Sequence, residues 1–230
     1  MRTLGLIGGM TWHSTVDYYR LINEGVHQRL GRSHSAAMVL LSVDFEPVEV
    51  LQESGDWAGM GRLMAAAARR LETAGAEGLI ICANTMHRLA DDVTGTVRIP
   101  LLHIADATAA AVKKAGLRTV GLLGTRYTME LDFYRGRLES QHGLRVIVPD
   151  EPDRTTVHEV IYRELAQGLV REESRRAYTA TIDGLRRRGA EGVILGCTEI
   201  PLLVRPQDSR LPVFDTTALH AAAAVDFALS

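Results

Sequence analysis

The chain has only two cysteines among 230 residues, few aromatic side chains, and no excess of either charge. Each shortage excludes something. Two cysteines cannot frame a small disulfide-stapled scaffold, and neither a Cys-x-x-Cys nor a His-Glu-x-x-His array is present, so no metal is expected. With 26 basic and 28 acidic residues the formal net charge is −2, which attracts no polyanion. The short basic runs Arg69-Arg70 and Arg186 to Arg188 fall late in helical stretches. Cations there suit the helix dipole, so a solvated surface is expected and nucleic acid is not. Met1-Arg2-Thr3 leads into an apolar run too short for a signal h-region or a membrane span, so the expected location is cytoplasmic, where thiols stay reduced. No Gly-x-Gly-x-x-Gly and no Gly-Lys-Ser/Thr follows a strand, so neither a dinucleotide fingerprint nor a P-loop is present.

What the chain does contain is a repeat. Gly75-Ala-Glu-Gly-Leu-Ile-Ile-Cys-Ala-Asn-Thr85 matches Gly189-Ala-Glu-Gly-Val-Ile-Leu-Gly-Cys-Thr-Glu199 at an offset of 114 residues. Thr3-Leu-Gly-Leu-Ile-Gly8 matches Thr119-Val-Gly-Leu-Leu-Gly124, and Pro100-Leu-Leu102 matches Pro212-Val-Phe214, at nearly the same offset. Three segments in constant order indicate a tandem duplication of one unit of roughly 115 residues. At the offset of 114, Cys197 falls opposite Ala83, and Cys82 falls opposite Gly196. The two thiols occupy the same point of the repeat, one residue out of register.

Short apolar runs bounded by Gly, Pro or Asp predict buried strands at 3–8, 38–44, 78–82 and 99–102, then at 118–124, 144–148, 192–197 and 212–214. Helical spacing fills the intervals. Segment 57–74 places Leu63, Ala67 and Leu71 four apart and ends at Gly75; segment 172–188 carries Tyr178, Ile182 and Leu185 and ends at Gly189. Further helices are predicted to start at Ala105 or Asp106 and at Thr216 or Thr217. Alternation of this kind predicts an α/β fold of two pseudo-symmetric parallel-sheet domains, with the active site in the cleft between them.

Ligands of parallel sheets bind beyond the carboxyl ends of the strands. The residues there are Gly8-Gly9-Met10-Thr11, Phe45 and then Gln52, Ala83-Asn84-Thr85-Met86-His87, Gly124-Thr125-Arg126-Tyr127-Thr128, and Cys197-Thr198-Glu199. Small, hydroxylated and amide side chains suit a small polar anion. The plain structural readings stand beside this one: glycines after strands also make tight turns, and a lone buried Cys is also a small hydrophobe. For Cys197 the strand-end position and the flanking Thr198 and Glu199 favour reactivity. A Cys-nucleophile hydrolase using His87 or His103 with Asn84 stays open at this level. Duplicated walls fit better with a reaction that treats two faces of one substrate alike, such as removing and returning a proton.

Leu4-Gly-Leu-Ile-Gly-Gly-Met-Thr-Trp12, Asn84-Thr-Met-His87, Gly124-Thr-Arg-Tyr-Thr-Met129 and Gly196-Cys-Thr-Glu199 together resemble the aspartate/glutamate racemase family over essentially the whole chain. The closest likeness is to its L-aspartate/glutamate-specific and broad-specificity branch. The resemblance implies a cofactor-independent isomerase of acidic amino acids, usually a homodimer, with a small-molecule amino acid as its partner. It also implies an inserted second domain, so that residues 1–99 plus 212–230 form the first domain and 100–211 the second. Cys197 then matches the family's second catalytic thiol, while Ala83 stands where the first is found. Asn84, Thr85, Thr125, Thr128 and Thr198 are expected to hold the α-carboxylate and amino group. Met10 and Gln52 are expected at the side-chain end, Ala83 lines the same site, and Glu199 takes the ammonium or tunes Cys197.

Ala cannot carry a proton, so something else must serve that face. Cys82 is expected to reach it through a twist or bulge at the strand end, against the alternation of a regular strand. If Cys82 is a core residue, the enzyme has one thiol, with water, His87 or a hydroxyl opposite. Two other readings belong here: a single-cysteine decarboxylase or isomerase of the same superfamily, and a non-catalytic amino-acid-binding protein.

Overall fold

The computed structural model describes all 230 residues, which divide into two compact units: 1–104 with 220–230, and 105–219. In the first unit, β1 (Leu4–Gly8), α1 (Trp12–Leu30), β2 (Met38–Ser42), α2 (Phe45–Glu53), α3 (Trp57–Thr73) and β3 (Gly78–Ile81) are followed by a 3-10 turn at Thr85–Leu89 and by α4 (Ala90–Thr94). The second unit holds α5 (Ile104–Lys114), β4 (Thr119–Gly124), α6 (Arg126–Glu130), α7 (Asp132–Ser140), β5 (Arg145–Ile147), α8 (Asp153–Arg163), α9 (Glu172–Arg187), β6 (Gly192–Gly196), α10 (Ile200–Leu203) and β7 (Val213–Asp215). α11 (Thr216–Leu229) runs across the boundary, which falls after Leu219.

Both sheets are parallel and share one order. The first is β2-β1-β3, extended by a single bridge from Leu79 to Leu101, and the second is β5-β4-β6-β7. The expected strand at 99–102 is reduced to that bridge. Pro100 has no N–H to donate, and only its carbonyl and the Leu102 amide reach Leu79.

The repeated Gly-Ala-Glu-Gly motif turns out to be structural. Gly75 and Gly189 take φ of +92° and +96° as the preceding helices end. Ala76 and Ala190 are buried. The Glu77 carboxylate accepts the Thr3 amide at 2.7 Å, and Glu191 accepts the Arg118 and Thr119 amides at 2.8 Å, so each caps the amino end of a central strand. Those amides hold the Glu191 carboxyl below its usual range. A methyl at Gly78 would overlap the Phe227 ring, and one at Gly192 would lie 2.8 Å from Phe214.

The C-terminal segment departs from the expected division at 212–230. β7 is hydrogen-bonded to β6, with Ile194 paired to Phe214, so the strand belongs to the second sheet. Only the later part of α11 joins the first unit, where Ala221, Ala224, Val225 and Ala228 pack with Leu4, Leu6, Tyr18, Ile22 and Ile80. α5 likewise follows the first unit's last strand yet is anchored in the second. Asp106 holds Arg137 through two bonds of 2.7 and 2.8 Å, and Thr108 meets the Tyr134 hydroxyl at 3.2 Å. Each strand keeps the backbone ladder of its own sheet, whereas α5 falls almost wholly in the second unit and α11 is divided between the two. No helix is long and apolar enough to cross a membrane.

Candidate active site

Within the first unit, the β1 end is built by close backbone approach. Gly9 has φ +94°, and a side chain there would overlap the Val43 carbonyl oxygen, so only glycine fits. The Thr15 hydroxyl accepts the Gly9 amide at 2.8 Å, and the Ser14 hydroxyl donates to the carbonyls of Thr11 (2.8 Å) and Cys82 (3.1 Å). The first turn of α1 thus ties the ends of β1 and β3 together. Neither Ser14 nor Thr15 was marked by the sequence; only their place just after the Gly-Gly turn could have drawn attention to them. Met10 packs in the cluster containing Val48, and buried Gln52 follows Val48 by one turn of α2.

The end of β3 separates Cys82 from Ala83. Ile7, Leu79, Ile81 and Ala83 pack with Met60, Met64, Ala68 and Leu71, on the α3 side. Leu4, Leu6, Ile80 and Cys82 pack with Tyr18, Ile22 and Ala224, on the side of α1 and α11. Strand alternation therefore continues through both residues, with no bulge to redirect the thiol. Cys82 is fully buried, and burial pushes its thiol well above the ordinary range. It stands among apolar side chains, on the opposite face from Ala83.

In the second unit, Cys197 lies on the α9 side with Leu123, Val157, Tyr178, Val193 and Leu195, the face equivalent to that of Ala83. Register pairs Gly124 with Gly196, so the Thr125 turn and Cys197 follow adjacent strand positions. Thr125 caps α6, its hydroxyl accepting the Thr128 amide at 3.4 Å and lying 3.3 Å from the Thr128 hydroxyl. The Cys197 thiol donates to Glu199 Oε2 at 2.9 Å, and the Thr198 hydroxyl donates to the same oxygen at 2.7 Å. The thiol and the hydroxyl thus converge on one carboxylate oxygen.

The surroundings of Cys197 raise its pKa rather than lower it. Burial raises its pKa well above the usual thiol value, followed by the Glu199 charge and its hydrogen bond, while the Glu199 and Thr198 backbone bonds oppose only in part. The following helix, α10, has four residues and begins three positions later, too short and too late to supply a useful dipole. Burial, and then Cys197 and Glu164, hold the Tyr178 hydroxyl well above its usual range, and that hydroxyl donates to Val157 O at 2.7 Å.

His87, a candidate acid from the sequence, has both ring nitrogens on backbone: Nδ1 lies 2.8 Å from Ala83 O, and Nε2 accepts the Ile104 amide at 3.2 Å. His103 is buried beside it, with ring centroids 4.7 Å apart. Asn84 is buried and Thr85 partly so, at the start of the 3-10 turn.

The burial of Cys82 carries a direct prediction. Cys82→Ala should leave any activity of the chain unchanged and cost about 1 kcal/mol of stability at neutral pH. A raised folded pKa means that stability is fully present below the unfolded thiol value, near 9.0, and is lost as pH rises above it. Denaturant titrations at pH 8 and pH 10 should therefore show a shallower alkaline loss in Cys82→Ala than in the parent chain.

Comparison with known proteins places these features. The model of the Asp/Glu/hydantoin racemase family matches residues 7–224. The crystal structure of a candidate Asp/Glu racemase from Yersinia pestis is 54% identical, with a TM-score of 0.95 and complete coverage of both chains. An aspartate racemase homologue from Pyrococcus horikoshii is 35% identical, with a TM-score of 0.87 and complete coverage of both. A glutamate racemase from Synechococcus is 32% identical over 128 residues, which span 55% of this chain and 45% of that enzyme.

Proposed function

This chain belongs to the Asp/Glu/hydantoin racemase family, and on that premise we propose that it is a cofactor-independent racemase of acidic amino acids working through one thiol, Cys197. The observation that carries the reading is the 2.9 Å bond from the Cys197 thiol to Glu199. A neutral thiol is a poor base for a Cα proton, and Glu199 is within direct proton-transfer distance of it. In the deprotonating direction, Glu199 receives the thiol proton, and the resulting thiolate takes the Cα proton. In the other direction the thiol delivers its proton to the carbanion, and Glu199 reprotonates the sulfur. An arriving substrate ammonium offsets the charge on this pair and favours the thiolate.

Asn84, Thr85, Thr125, Thr128 and Thr198 hold the α-carboxylate and amino group in this reading, with Met10 and Gln52 at the side-chain end. The Ala83 methyl holds no proton, Cys82 packs on the other face of its strand, and both His87 nitrogens are engaged. Solvent therefore serves the second face, and the reaction is asymmetric. Ala83 also supports a second reading, a single-thiol enzyme that protonates one face of a carbanion left by decarboxylation.

The test is Cα hydrogen exchange. L- and D-aspartate and L- and D-glutamate are incubated with the chain in D2O and followed by proton NMR. One enantiomer of one substrate should exchange about tenfold or more faster than its mirror image, a barrier difference of about 1.4 kcal/mol. Binding of acidic or neutral amino acids without any exchange would refute the racemase reading, and loss of CO2 from an α-carboxylated acid would establish the second.

A further inference from the structure

Three histidines lie buried together in the first unit. The His87 centroid is 4.7 Å from that of His103 and 5.4 Å from that of His220. Their partners fix two of the tautomers by elimination. A carbonyl oxygen only accepts and an amide N–H only donates. His87 Nδ1, 2.8 Å from Ala83 O, must carry the proton, and Nε2, which receives the Ile104 amide, must present its lone pair. His220 is the reverse: Nε2 donates to Leu102 O at 2.7 Å, and Nδ1 accepts the Tyr18 hydroxyl at 2.8 Å.

The bonds join pieces of backbone that the fold otherwise leaves apart. His87 bonds the carbonyl at the end of β3 and the amide after the Leu101 bridge, and His220 bonds the Leu102 carbonyl beside it. The fourth strand of this sheet makes only one bridge, so side chains supply the bracing that β7 receives from its ladder in the second unit. The repeat does not duplicate the device. At the offset of 114 residues, the twin of His87 is Pro201, which has no polar side chain. The imidazole clamp belongs to the half of the molecule whose catalytic position is an alanine.

We propose that His87 is a positioning residue: its imidazole, held as the Nδ1–H tautomer, clamps the Ala83 carbonyl to the Ile104 amide and so sets the turn that presents Asn84 and Thr85. The role of those two residues toward substrate rests on the racemase reading above; the clamp itself does not. Burial, then the neighbouring His103 and His220, hold His87 well below the ordinary histidine value, with the Ala83 and Leu102 carbonyls acting in the opposite sense. A ring kept neutral in this way keeps its acceptor nitrogen for Ile104.

Two side-chain amides dissect the clamp. Asn places an N–H near the position of Nδ1, whereas Gln reaches the position of Nε2 and can accept from Ile104 without serving Ala83. Each variant keeps one half of the clamp and loses the other, so both should speed amide hydrogen exchange at Asn84 to His87 and raise KM, about tenfold for His87→Gln, which releases the Ala83 carbonyl beside Asn84, and about threefold for His87→Asn, which releases the Ile104 amide. Unchanged exchange and unchanged KM in either variant would overturn the proposal. Imidazole nitrogen NMR of the unaltered chain provides an arm independent of activity. It should report Nδ1–H for His87 and Nε2–H for His220, with no titration of His87 near pH 6.5. An Nε2–H tautomer or ordinary titration at His87 would overturn the clamp even in an active enzyme, whereas absent Cα exchange with the expected tautomers would count against the racemase reading alone.

Discussion

Cys197→Ser is expected to lower Cα hydrogen exchange by about 10³-fold, within the range of roughly 10² to 10⁴ that one positioned acid–base group contributes. The substitution is nearly isosteric, and the serine hydroxyl can still donate to Glu199 at the place of the 2.9 Å thiol bond. The fold should therefore survive, with a thermal midpoint close to that of the parent. The loss comes from proton chemistry: an alkoxide is far harder to form than a thiolate, and burial already penalises any anion at this position. The enantiomer whose Cα hydrogen faces Cys197 should lose exchange, and conversion between the enantiomers should fall in both directions, because each passes once through the thiol. Measured exchange within tenfold of the parent would remove Cys197 from the reaction and leave the family likeness without the chemistry assigned to it.

The second large effect is on stability. Gly9→Ala places a methyl group where the Val43 carbonyl oxygen already lies, and 2.7 Å from the Val43 nitrogen, at φ +94°. The left-handed backbone alone costs an alanine about 1–2 kcal/mol, and the overlap adds about 1–3 kcal/mol because Val43 is backbone and cannot swing away. A total of about 3–4 kcal/mol lowers the melting temperature of a unit of this size by roughly 15 °C or more. Gly116→Ala serves as the control. It has a comparable φ of +74° but open space where the methyl would be, so only the backbone part applies. Melting temperatures of the two variants, measured by circular dichroism, separate strain from overlap. A Gly9→Ala loss no larger than that of Gly116→Ala would mean that the turn after β1 yields easily.

Much of the architecture was legible because it depends on local chemistry repeated twice. Seven of the eight apolar runs form strands, with β2 only partly buried and 99–102 reduced to a bridge, and the Gly75 and Gly189 helix ends followed from the positive φ that glycine tolerates. The Ala83–Cys197 correspondence was likewise visible from the offset alone. Cys82 departs from its expected place for an identifiable reason. Cys82 was expected to reach the Ala83 face through a bulge. The alternation that opposed this idea is maintained, because the α1–α11 face offers the thiol a well-filled apolar pocket with Tyr18 and Ala224. The Cys197 pKa is raised by burial first and then by the Glu199 carboxylate, and α10 is too short to oppose either.

The clamp around His87 had no sequence signal. Histidines at 87, 103 and 220 are scattered over more than a hundred residues, and nothing in their spacing announces that the rings of His103 and His220 lie edge-on to that of His87, with centroids 4.7 and 5.4 Å away. The same holds for Ser14 and Thr15, whose hydroxyls serve carbonyls and an amide at strand ends distant in the chain.

By itself, the sequence determined the duplication, the parallel α/β class, the strand ends that carry the candidate residues, and the absence of a thiol at position 83. Periodicity, turn residues and a constant offset are properties of the chain read in one dimension. Only the tertiary structure decided which face of β3 each side chain takes, which sheet receives β7, which unit receives each exchanged helix, and which charges surround Cys197. Those outcomes depend on burial and on partners brought together across long separations, and neither is written in local order. For Cys197 the deciding partner was two residues away in the chain, yet it took the folded turn to bring that carboxylate onto the sulfur.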